Sequence, residues 1–155
     1  MKTKHLITLI VFAVAIIFSL AFYFLSKISP GSYPYAEKYE VDVDETVLIQ
    51  AIENFKDDNP KYKVPLGQPD LHDGRNQQEN LWYHIYFYYP TENQIIYTWT
   101  RSLGKNKTTF AFVSINQGLI LGNWKDINKD FNTSENDRQK KIFEDRILNE
   151  LLKKL

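Results

Sequence analysis

Residues 6–25 constrain this chain more than any other stretch. Leu6 to Leu25 is apolar except for Thr8 and Ser19, and so much bare hydrocarbon has no stable place in water. Twenty residues in a helix, at a rise of ~1.5 Å each, span ~30 Å, the thickness of a bilayer's hydrocarbon core. A cleaved signal peptide has a shorter apolar run, ~7–15 residues, that ends in a small-x-small site. Here the run is longer and continues into Ser26-Lys27-Ile28-Ser29-Pro30, which carries no clean site. The stretch reads as a retained single-pass transmembrane helix, with the lipid bilayer as partner through residues 6–25. Lys2 and Lys4 precede it and only Lys27 closely follows it. Positive charge stays on the cytoplasmic side. The expected placement is therefore the cell membrane, with a cytoplasmic amino terminus and an extracytoplasmic remainder, periplasmic if the source is a Gram-negative bacterium.

Three segments follow from this reading: a basic leader and anchor over 1–25, a juxtamembrane linker over 26–38, and one small domain over 39–155. Pro30, Gly31, Ser32 and Pro34 keep the linker out of helix and strand. Within the domain, Leu48, Ala51, Ile52 and Phe55 recur at helical spacing behind Asp44, a suitable N-cap, which predicts a helix over 45–56. Residues 57–80 are polar and rich in Pro and Gly, and a loop of that length in a compact domain is uncommon and often functional. Aromatic and β-branched residues then dominate 81–89, 94–101 and 108–116, with a shorter apolar run at Leu119–Leu121. Short links between them imply an antiparallel meander of three or four strands. An amphipathic helix over 135–155 closes the chain, with Ser134 and Asp137 in a capping-box pattern. The fold class is α+β.

The predicted strand register carries the functional expectation. A four-residue loop at Pro90–Asn93 sets Tyr88 opposite Ile95, Tyr86 opposite Tyr97, His84 opposite Trp99 and Trp82 opposite Arg101. Pairing Arg101 with Thr108 sets Trp99 against Phe110 and Tyr97 against Phe112. One face then collects Trp82, His84, Tyr86, Tyr88, Tyr97, Trp99, Phe110 and Phe112. The other carries Ile85, Phe87, Ile96, Thr98, Ala111 and Val113. The aromatic face is either the core beneath the helices or, with the helices on the aliphatic face, a binding surface.

Several function classes lack support. Lys+Arg and Asp+Glu both number 19, so the formal net charge is zero, and no basic surface offers itself to nucleic acid. Without cysteine there is no disulfide, thiolate metal site or cysteine nucleophile. No Gly-rich turn between strand and helix provides for a nucleotide. His72, flanked by Asp70 and Asp73, and His84 on its strand are the only histidines of the domain. Asp70-Leu71-His72-Asp73-Gly74 matches no metal-ligand spacing. No cofactor or metal is implied.

The reading is a non-catalytic, membrane-anchored domain that binds another protein at the cell envelope. Its binding residues are Trp82, His84, Tyr86, Tyr88, Tyr97, Trp99 and Arg101. The alternatives are a small-ligand or glycan binder using the same aromatic face, and an enzyme that brings His72 and His84 together with Asp70 or Asp73.

Overall fold

The structure is a computed structural model that describes residues 12–21, 33–67, 71–76 and 81–155. The chain divides into two compact units, Met1–Pro34 and Tyr35–Leu155. Of the apolar run, residues 12–21 are helical and exposed; residues 6–11 and 22–25 lie outside the described residues. Among the described residues no helix is long and apolar enough to cross a membrane.

The second unit is α+β. One sheet contains strands β1 (Glu37–Val41), β2 (Gly74–Arg75), β3 (Tyr83–Tyr89), β4 (Gln94–Gly104), β5 (Lys107–Gln117) and β6 (Trp124–Asp126). Its order is β1-β5-β4-β3-β2, β6 also pairs with β5, and every pairing is antiparallel. Helix α1 (Glu45–Asp58) follows β1. After β6 come α2 (Thr133–Phe143), a π-helical turn (Glu144–Leu148) and α3 (Asn149–Leu152).

Apolar spacing decides which face the helices cover. Leu48, Ile52 and Phe55 of α1 are buried, as are Phe143 of α2, Ile147 and Leu148 of the π turn and Leu151 of α3. They pack with Ile85, Phe87, Tyr89, Ile96, Phe110, Phe112 and Ile115 of the sheet in one core. Phe143 is central: its ring lies 4.8 Å from Phe112, 5.5 Å from Phe110 and 5.8 Å from Tyr39. Each such side chain, once fully buried, contributes ~1.5–3 kcal/mol. The π turn carries Ile147 and Leu148 into the core between Phe143 and Leu151. It also places Arg146 over Tyr89, 5.0 Å away, with two hydrogen bonds to Glu92 at 2.7 and 3.0 Å. This ion pair holds the Glu92 carboxyl below the usual range.

Several sequence expectations need correction. The first hairpin has the anticipated register, with Tyr88↔Ile95, Tyr86↔Tyr97 and His84↔Trp99, although its ladder ends at Tyr83↔Thr100 and Trp82 precedes the strand. The second hairpin is slipped by one residue, with Arg101↔Thr109 and Trp99↔Ala111. The strands run on to Gly104↔Lys107, so only Lys105 and Asn106 form the turn, and Leu103 is an extra residue beside it. Gly104 and Asn106 have φ of +129° and +56°, which a tight reversal requires. A one-residue slip exchanges faces, so Phe110 and Phe112 enter the core and Ala111 joins the aromatic face. A second bulge, between Tyr97 and Thr98, leaves Val113 unpaired with β4. It brings Ile115 to the core in place of Ser114 and Asn116.

Leu119–Leu121 is loop, bracketed by Gly118 and Gly122 at φ +81° and +115°. Asn116 holds that loop with bonds to the carbonyls of Gly118 and Ile120 and to the N–H of Asn123. The additional strands are β1, β2 and β6. The last helix starts at Thr133, and its cap is Asn132, whose Oδ1 accepts the Glu135 N–H at 2.9 Å. Asp44 occupies the cap position of α1, but its carboxylate accepts the Asn106 N–H at 2.7 Å, tying the helix entry to the β4–β5 turn.

Candidate functional site

Because the helices cover one face, side chains of opposite parity on β3 and β4 stand on the other. There His84 and Tyr97 stack with centroids 5.7 Å apart, and Tyr86 stacks on Tyr97 at 5.1 Å. Trp124 of β6 meets Tyr97 at 6.1 Å and Tyr86 at 6.4 Å. His84 Nδ1 and the Tyr97 hydroxyl lie 2.6 Å apart. These four rings are half-buried and contiguous, with stacked and edge-on geometry that suits aromatic quadrupoles. Tyr88 on the same face donates its hydroxyl to Asn93 Oδ1 at 2.9 Å.

The two tryptophans of the predicted set have a different place. Trp82 and Trp99 are 8% and 3% exposed and meet edge to face at 6.3 Å. Trp99 stands on the same face as Tyr97, across the strands from His84, but is buried there. Arg101 is exposed and carries its guanidinium 5.7 Å over the Trp82 ring. The surface that can meet another molecule is therefore His84, Tyr86, Tyr88 and Tyr97 with Arg101 at its margin, joined by Trp124. Sequence reasoning missed Trp124 because it placed the fourth strand at Leu119–Leu121, five residues before the observed Trp124–Asp126. The paired glycines around 119–121 were the signal that this run is a loop.

The histidines occupy different surroundings. His72 is exposed and lines a cleft of about 460 Å³ at the β3 edge, together with Lys56, Lys63, Asp73 and Tyr86; His84 is not among its walls. Asp70 lies outside the described residues. The organising contact of this cleft is Lys56, which is buried and pairs with Asp73 while donating to the Tyr86 carbonyl at 2.7 Å. Asp73 Oδ1 in turn accepts the Tyr86 N–H at 3.0 Å. Burial pulls the Lys56 pKa below its ordinary value, against the pull of the Asp73 charge. The pair fastens the polar segment after α1 to both the helix and the sheet edge. Tyr62 fastens it again, buried and stacked on Phe55 at 5.4 Å. Among the described residues no group of three His, Asp or Glu side chains is placed to hold a metal ion.

Comparison with protein-family models, with curated proteins and with solved structures finds no match.

Proposed function

We propose that this protein is a non-catalytic, membrane-tethered domain that binds another protein at the cell envelope through the outer face of its sheet. Residues 6–25 hold it in the bilayer, with the amino terminus cytoplasmic and the domain outside. The tether rests on the length and apolarity of that run. The observation that carries the binding reading is the contiguous half-buried ladder His84–Tyr97–Tyr86–Trp124 on the face opposite the helices. Tyr, Trp and Arg are the residues that dominate interface hot spots, and Arg101 flanks the ladder.

A photoreactive phenylalanine analogue at Tyr86, in the full chain in its native membrane, tests this. Irradiation is expected to give one discrete protein adduct, absent when the probe replaces Lys141 on the exposed side of α2 and lost when Arg101→Glu is added. Equal labelling from both positions, or none from Tyr86, overturns the proposal. Fractionation of the unlabelled chain tests the tether: recovery in the soluble fraction without detergent overturns that part.

A further inference from the structure

We propose that a second copy of this chain pairs with β1 in antiparallel fashion, joining two sheets edge to edge about a twofold axis centred on Tyr39. The two edges of the sheet are treated differently. Beside β3, Asp73 and Lys56 occupy the N–H and C=O of Tyr86, and β2 covers Tyr83 and His84. β1 is the terminal strand at the other end. Its backbone pairs with β5 on one side, and among the described residues no backbone hydrogen bond leaves its other side. An open row of N–H and C=O groups is a template for another strand.

Charged side chains usually guard such an edge, because a chance neighbour leaves them facing the wrong partner. The order Lys38-Tyr39-Glu40 makes one neighbour an exception. In a continuous sheet with the helices of both copies on one face, residues opposite one another must share a face, which restricts β1 to registers centred on a residue. A centre at Lys38 sets Lys38 against Lys38, and a centre at Glu40 sets Glu40 against Glu40. A centre at Tyr39 sets Lys38 against Glu40 twice. Opposite charges across strands stabilise and like charges destabilise, so the sequence selects the third register. Both side chains are exposed. Lys38 has no ion-pair partner among the described residues, and Glu40, exposed beside Lys107 at 2.5 Å, stands on the same face. The contact is isologous, so it closes as a dimer and does not propagate.

The absence of cysteine makes the test clean. In the Tyr39-centred register, position 38 of one copy and position 40 of the other have Cα atoms ~4.5–5.5 Å apart, within the ~4.4–6.8 Å range of a disulfide. Two copies of position 38, or of position 40, stand diagonally at ~7–8 Å. Full-length Lys38→Cys carrying a size tag is co-expressed with untagged Glu40→Cys and oxidised in the membrane, with Lys141→Cys as the collisional reference. The mixed disulfide is expected to exceed that reference, while Lys38→Cys alone and Glu40→Cys alone stay at its level. A dominant Lys38→Cys or Glu40→Cys homodimer overturns the register. A mixed species no more abundant than the reference overturns the edge pairing altogether.

Discussion

Trp99→Ala is expected to lower the unfolding free energy by about 3–5 kcal/mol, the usual cost of emptying a large buried aromatic site. Trp99 is 3% exposed and packs edge-on against Trp82, and its partner across the strand, Ala111, is itself buried. Small side chains of that kind cannot close over the gap. A domain of this size has about 5–15 kcal/mol in total, so the variant gives up a large share of its stability. Tyr86→Ala offers the contrast. Its half-buried ring loses the stack on Tyr97 and the contact with Trp124, each pair worth about 0.5–1.5 kcal/mol beyond the area it buries, yet it removes the centre of the proposed contact surface. Urea unfolding followed by circular dichroism separates the two. If Trp99→Ala costs no more than about 0.5 kcal/mol, as an exposed position would, then Trp99 is not packed as a buried side chain. Partner capture is expected to follow the opposite order, with Tyr86→Ala losing the adduct while its fold persists.

That contrast also measures what was legible in the sequence. Alternation along Leu81–Tyr89 and Gln94–Arg101, with a four-residue turn between them, was enough for the first hairpin, because local pattern and turn length there agree. The second hairpin was misread by one residue. Nothing in Ser102–Lys107 announces that Leu103 bulges, and the choice is made at a distance by Phe143, whose ring needs Phe110 and Phe112 on the helix side. The same tertiary demand explains the bulge at Val113, which keeps Ser114 and Asn116 out of the apolar layer. β1 was hidden for a different reason. Glu37–Val41 is short and charged beside a Pro-rich segment, and its strand character comes from pairing with β5. Of the contact residues, His84, Tyr86, Tyr88 and Tyr97 follow from strand parity alone. The burial of Trp82 and Trp99 does not, since it depends on what lies over the sheet, and Trp124 reaches the ladder only through the Asn116-held loop.

Asp73→Asn is expected to cost about 2–3 kcal/mol, and more than Lys56→Met does. Lys56 is the more deeply buried partner, its side chain 9% exposed against 29% for Asp73. Removing the carboxylate strands an ammonium in the interior, and a fully buried pair broken in this way costs about 3–5 kcal/mol; the partial exposure of Asp73 reduces that figure. Removing the ammonium leaves a carboxylate that still accepts the Tyr86 N–H and reaches water, while methionine keeps the apolar stem over Phe87, where the Lys56 amino group lies 4.8 Å from the ring centre. The pair also sets a pH signature. The folded pKa of Lys56 lies below its ordinary 10.5, so the native state sheds that proton first, and stability rises with pH between the two values. Tyr39 and Tyr89 act in the reverse sense. Burial raises both hydroxyls above their ordinary 10.0, so above that pH the unfolded chain ionises first and stability falls. Unfolding free energies measured from pH 7 to about pH 11 are expected to show a rising limb followed by a falling one. In Lys56→Met the rising limb disappears and the falling limb stays. A rising limb of unchanged height in Lys56→Met would mean that another group titrates there and that the amine of Lys56 is as well solvated in the folded chain as in the unfolded one.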